Sequence, residues 1–218
     1  MDRSIESIWK EGFLKNDALV APIINNLYNQ KSIHIIEKFK RMFKINLIAI
    51  VAFSFIFLII TFFIGIPLTG IIFFLTLIAL VIINKRLLKG LERIDKGVNS
   101  YEYLKGFNQW IHMQVSINKR MSTFLYPIMF LSFMIGFWFK DAEGIYLGVR
   151  LVNKIQLSYP DMYMINGVPL IGIAIALLVL GLLAFFGGKI YLWDLNIVYG
   201  RVFKKLDELL LDLERLRS

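Results

Sequence analysis

Between Leu47 and Ile66 the chain reads LIAIVAFSFIFLIITFFIGI, twenty residues without a charge. A helix of roughly 20 apolar residues matches the ~30 Å hydrocarbon core of a bilayer. A surface helix of a soluble domain keeps one polar face, and this run has none. No other feature restricts the fold as much. With Asn46 it forms the first candidate span, and three more follow: 68–83, 124–139 and 168–186. The first and fourth are long enough alone. The second and third reach a spanning length by borrowing neighbours such as Asn84 or Met121 to Thr123. Between the first two lies GIPLTG, 65–70, a short uncharged turn that pairs them as an antiparallel hairpin. The expected fold class is all-α: a polytopic membrane protein with four transmembrane helices and helical cytoplasmic extensions. No cleavable signal is apparent ahead of the first span, which is expected to stay in the mature chain.

Composition agrees. Hydrophobic residues make up 57% of the 218, and charged residues 19%, against about a quarter in soluble domains. With no cysteine, disulfides, thiolate metal sites and cysteine nucleophiles are excluded. The two histidines, His34 and His112, have no metal-binding spacing, so neither metal nor cofactor is expected.

The cations orient the chain. Residues 1–45 hold eight Lys and Arg, 84–123 hold eight and 187–218 hold six, whereas 140–167 hold three and the 65–70 turn none. Cytoplasmic loops collect Lys and Arg, so both termini and the central loop are expected in the cytoplasm. The chain then divides into a cytoplasmic amphipathic helical segment (1–45), a transmembrane hairpin (46–83), a cytoplasmic helical loop (84–123), a second hairpin (124–186) with an external segment (140–167), and a cytoplasmic C-terminal helix (187–218). Lys38, Lys40, Arg41 and Lys44, with Lys85 and Arg86, and Lys119 and Arg120, stand beside the apolar runs. They are candidate topology anchors and attractors of anionic membrane lipid, at about 1 kcal/mol per cation. In a soluble protein the net charge of +9 would raise nucleic acid as a partner; here the cations sit at the membrane plane, and no nucleic acid is expected.

The segments outside the runs keep helical periodicity. Ile5, Ile8, Trp9 and Phe13 form a short amphipathic piece, and a longer one runs from Pro22 through Ile23, Ile24, Leu27, Tyr28, Ile35, Ile36, Phe39 and Phe43. A turn is expected at 97–100, and the Gly187-Gly188 pair suits a bend. Beyond it Leu195, Val198, Val202, Leu206, Leu209, Leu213 and Leu216 approach a heptad coiled-coil seam. These faces must be covered, by one another, by a second copy in a homo-oligomer, or by a cytosolic protein lying helix-in-groove. Trp9, Leu27, Tyr28, Leu206, Leu209, Leu213 and Leu216 are the candidate partner-binding residues.

Little chemistry is visible. The spans carry no Asp, Glu, Lys, Arg or His, and their few polar residues are Asn46, Ser54, Thr61, Thr69, Thr76 and Ser132. Ser and Thr commonly bond within their own helix or to a neighbour. This argues against a proton-coupled carrier, and no phosphate loop or nucleophile motif suggests an enzyme. The external segment, 28 residues, is read as a short hairpin or an interfacial helix. Two function classes remain: a membrane-anchored regulatory or scaffold protein holding a cytosolic partner, and a small transport or lipid-handling protein.

The pattern IWKEGF, then APIINNLYNQKSIHIIEKFKRMFKIN, ahead of hydrophobic hairpins resembles a group of uncharacterised bacterial inner-membrane proteins associated with extracytoplasmic-function sigma factors and treated as anti-sigma-factor-like. The resemblance covers residues 8–46. It implies the bacterial inner membrane as location and a sigma factor as the cytosolic partner. A typical anti-sigma factor has one span and a larger soluble domain, and some carry a Cys/His zinc site; this chain has neither pattern.

Overall fold

Each apolar run continues without a break into its flanking amphipathic sequence, so the helices are long. The computed structural model describes the backbone of residues 5–92, 94 and 100–217, and the side chains of 30–92, 94 and 101–215. Five helices occur among the described residues: α1 Ile5–Ile64, α2 Pro67–Leu91, α3 Ser100–Trp138, α4 Leu147–Ser158 and α5 Leu170–Arg217. Pro22, read above as a helix start, stands inside α1. The turn expected at 97–100 lies outside the described residues except for Ser100, where α3 begins. Four segments, Gln30–Ile64, Pro67–Leu91, Tyr101–Trp138 and Leu170–Arg215, are long and apolar enough to cross a membrane.

The turn between α1 and α2 follows from its residues. Gly65 takes φ +83°, the left-handed conformation that stops a helix. The Ile66 N–H then reaches the Thr61 carbonyl and the Gly65 N–H the Phe62 carbonyl, closing the last turn of α1. Pro67 opens α2, where its missing N–H is no loss.

The segment 140–169 holds both elements that its sequence left open. A hairpin pairs Asp141 and Ala142 with Ile145 and Tyr146, and a second pairs Met164 and Ile165 with Val168 and Pro169. Each turns through two residues at positive φ, Glu143-Gly144 and Asn166-Gly167, as a two-residue hairpin loop matched to strand twist requires. In each the first N–H of the following helix, at Leu147 or Leu170, donates to the carbonyl seven residues back, on Lys140 or Tyr163. The segment is thus a hairpin–helix unit used twice. Arg150 on α4 ties back to the first hairpin through the Ala142 carbonyl (2.7 Å) and Glu143 (2.9 Å). Gly148 lies against the Trp138 indole, where any side chain would enter the ring.

In the apolar halves the helices approach through small residues. The Thr61 hydroxyl occupies the space a Cβ on Gly70 would take, and Thr69 does the same at Gly136 while its hydroxyl donates to the Ser132 carbonyl of α3 (2.8 Å). Phe57, Phe73 and Phe133 close the space between α1, α2 and α3, with ring centroids 4.6 to 5.9 Å apart. Gly187 lets α5 approach α3, since a Cβ there would stand 2.7 Å from the Ser122 carbonyl oxygen. The glycine pair lies within continuous α5 and serves this close approach.

The main core lies in the basic halves. Ile36, Phe39, Phe43 and Leu47 of α1, Leu88 and Leu91 of α2, Leu104, Phe107 and Trp110 of α3, and Leu195, Tyr199, Val202 and Leu206 of α5 form one buried cluster. Phe39 is its centre, with Phe107, Trp110 and Tyr199 ring centroids 5.2 to 5.9 Å away. Phe63, by contrast, is 83% exposed in the apolar half of α1. Large-to-small changes of a buried Phe cost about 3–5 kcal/mol. Phe39→Ala should therefore lower the thermal midpoint of the detergent-solubilised protein by many degrees, and Phe63→Ala by little; equal shifts in a melting experiment would place the core elsewhere.

Candidate functional site

The basic end of the bundle carries the polar side chains that are organised in space. Where the apolar halves give way to the aromatic core, α2 and α3 contribute a reciprocal amide pair. Asn84 Nδ2 donates to Asn118 Oδ1 at 2.8 Å, and Asn118 Nδ2 donates to Asn84 Oδ1 at 2.9 Å. Gln114 Nε2 adds a longer bond to Asn84 Oδ1, 3.4 Å, and all three side chains are buried. Satisfied in this way the amides cost little; losing one partner would leave a buried polar group worth about 1–3 kcal/mol. Nearby, the Trp110 indole N–H donates to the Leu87 carbonyl at 2.9 Å, near the C-terminal end of α2.

α5 adds two tyrosines, eight residues and about 12 Å of helix rise apart, Tyr191 beside Gln114 and Tyr199 against the aromatic core. Burial raises the Tyr191 hydroxyl well above its ordinary pKa, a hydrogen bond with Gln114 opposes the rise, and the Tyr199 and Asp194 side chains add to it. Tyr199 is raised by burial, with Asn46 opposing and Asp194 adding. Its hydroxyl faces Asn46, yet it is enclosed and makes no well-formed hydrogen bond. Thus α1, α2, α3 and α5 each place an amide or phenol at or beside the edge of the aromatic core where the apolar halves begin. Asn84, Gln114 and Asn118 were not singled out in the sequence as partners. Part of the signal was present: Asn46 and Asn84 stand at the edges of the first and second apolar runs.

Below the aromatic core an open cleft of about 690 Å³ separates α1 from α5. Gln30, Lys31, His34 and Ile35 line one side, and Lys205, Glu208, Leu209 and Asp212 the other. Its walls mix both charges with two aliphatic side chains, a surface suited to a polar helix or peptide more than to a small apolar ligand. His34 and His112 are both exposed, and among the described residues no three His, Asp or Glu side chains converge as a metal site.

The sequence-derived candidates fall into three places. Leu206 and Leu209 are inside the core and Leu213 packs on its edge, so α1 and α3 of the same chain cover the seam. The seam is shifted at one step: Val198 is 40% exposed and Tyr199 is 3% exposed, because α5 meets its neighbours at 195, 199, 202, 206 and 209. Trp9, Leu27, Tyr28 and Leu216 lie outside the described side chains. Among the anchors, Lys38, Arg41, Lys44, Lys85, Arg86, Lys119 and Arg120 are exposed, and Lys44 is 3.6 Å from Glu92. Lys40 differs. It is 7% exposed and pairs with Glu37 at 3.5 Å, so its stem packs within the bundle.

No family model, curated protein or solved structure matches this chain.

The raised phenol pKa values predict a loss of stability at alkaline pH. The fold holds both as neutral groups with raised pKa, so below about pH 10 folded and unfolded chains bind the same protons there. Above about pH 10 the unfolded phenols ionise first, which lowers the free energy of the unfolded state relative to the folded one, and stability falls. A melting series from pH 7 to 11.5 should decline above pH 10, and Tyr191→Phe/Tyr199→Phe should flatten the decline. An unchanged slope in the double variant would mean these hydroxyls are not held neutral by the fold.

Proposed function

We propose that this chain is a four-span membrane protein with both termini and residues 84–123 in the cytoplasm of a bacterium, and that it anchors a soluble protein partner at the membrane. What supports the membrane setting is the contrast along each helix. The halves free of charge expose Phe, Ile and Leu, and the halves carrying the Lys and Arg bury an aromatic core. Lipid solvates the first arrangement and water the second.

The observation that carries the partner is the length of α1. Ahead of Gln30, the first of its residues on the cleft, α1 continues as helix for 25 residues back to Ile5, roughly 37 Å. Its sequence includes Trp9, Phe13, Ile23, Ile24, Leu27 and Tyr28, an apolar set that a partner helix would cover. The bundle below the membrane is then a fixed platform, and the first part of α1 is the reaching arm. A sigma factor is the partner that the resemblance of residues 8–46 implies. The transport reading has less support, because Phe57, Phe73 and Phe133 fill the space between α1, α2 and α3.

The test is chemical crosslinking in native membranes followed by capture of the full chain or of a chain lacking residues 5–29. The expected result is one soluble protein recovered with the full chain and absent with the deletion. Recovery of the same soluble protein from both, or of lipid and further copies alone, would contradict the proposal.

A further inference from the structure

The fourth apolar segment differs from the other three in having almost nothing packed on it. No residue from Leu170 to Phe186 is buried, and Gly172 and Gly181 meet nothing within 4 Å of where a Cβ would stand. At 100° per residue Ile171, Ile175, Leu178, Leu182 and Phe185 share one face of α5, and all are exposed. From Ile175 to Phe185 this stripe rises roughly 15 Å, about one leaflet of a ~30 Å hydrocarbon core.

The same stripe ends in positive charge. Lys189 is its next member, and its ammonium is held 5.3 Å from the Phe186 ring centroid and 5.8 Å from that of Phe185. That position is the edge of the apolar segment, where a headgroup phosphate would lie. Lys119 of α3 lies against the adjoining residue of α5. A Cβ on Gly188 would stand 2.9 Å from Lys119 Cγ and 3.2 Å from Cε, so the glycine makes room for the lysine stem to lie across α5. Among the described residues neither lysine has a carboxylate within ion-pairing distance. The nearest acid along α5, Asp194, is about 140° round the helix from Lys189 and acts on the tyrosine cluster. Trp193, exposed one turn beyond Lys189, adds an indole N–H of the kind that favours the membrane interface.

We propose that Lys119 and Lys189 bind the phosphate of one anionic phospholipid from the leaflet at the basic end, with an acyl chain along the Phe185–Ile175 stripe. This rests on the membrane reading above and deepens it. The bare helix supplies the apolar contact that lipid tails require. The two unpaired ammoniums supply a preference for negative charge that neutral lipid does not satisfy. The lipid serves as the packing partner that α5 lacks within its own chain.

The experiment uses the purified full chain in detergent, titrated with phosphatidylglycerol or phosphatidylcholine, with bound lipid counted by native mass spectrometry. Phosphatidylglycerol should bind at least tenfold more tightly. Lys119→Gln/Lys189→Gln should lose roughly tenfold or more of that preference, as two cations near a headgroup would contribute. Arg201→Gln/Lys204→Gln, the same charge removed farther along α5, should keep it. Lys119→Arg/Lys189→Arg should also keep it, which separates loss of charge from loss of fold. Equal binding of the two lipids, or equal losses in both neutralised variants, would overturn the site. Alkaline-carbonate extraction of native membranes distinguishes the two levels: release of the chain would sink the membrane reading itself, while retention without lipid preference would sink this site alone.

Discussion

Phe39 sits edge-on to Phe107 and Trp110 and tilted against Tyr199, and the four long helices depend on that contact. Among the described residues, only at the basic end do α1, α2, α3 and α5 all meet around a common buried cluster. The reason is physical. Apolar side chains gain from burial where the alternative is water, and gain little where the alternative is a lipid tail. In a membrane setting the halves free of charge must associate by close fit and hydrogen bonds, and Thr61 against Gly70 and Thr69 against Gly136 provide that fit. The aromatic core supplies the larger driving force from below. α5 follows from this division: it is fixed through Leu195 to Leu209 and at Gly187, and its apolar half is left bare.

The amide and phenol layer separates the two regimes. Asn84 and Asn118 satisfy each other, so α2 and α3 cannot slide past one another without breaking buried hydrogen bonds. A polar layer next to an apolar core fixes register in the way a single buried polar side chain does in helical bundles. Tyr199 extends the layer to α5 and α1, at the cost of an enclosed hydroxyl.

How much of this was legible in the sequence depends on whether the information is local. The four apolar runs, the α1–α2 turn and the helical continuation on both sides follow from composition and spacing within a few residues of one another. The Asn84–Asn118 pair does not, because it joins residues 34 apart that matter only once two helices are antiparallel and in register. The choice of Tyr199 over Val198 turns on how α5 is rotated against three neighbours, which a one-residue ambiguity in spacing leaves open. The hairpins were within reach: Asn166-Gly167 is a strong two-residue turn signal, and Glu143-Gly144 repeats it 23 residues earlier. The bareness of α5 was not, since an apolar helix reads the same whether protein or lipid surrounds it.

The central claim is the orientation that puts the aromatic platform and both termini in the cytoplasm. The chain has no cysteine, so single cysteines can be introduced without background. Labelling intact cells with a membrane-impermeant maleimide is the most direct test, using Lys154→Cys in the hairpin–helix segment and Arg86→Cys and Lys204→Cys on the platform. The account predicts that the first is labelled in intact cells and the other two only after the membrane is opened. Labelling of Arg86→Cys or Lys204→Cys in intact cells, with Lys154→Cys protected, would invert the molecule and remove the basis for a cytosolic partner.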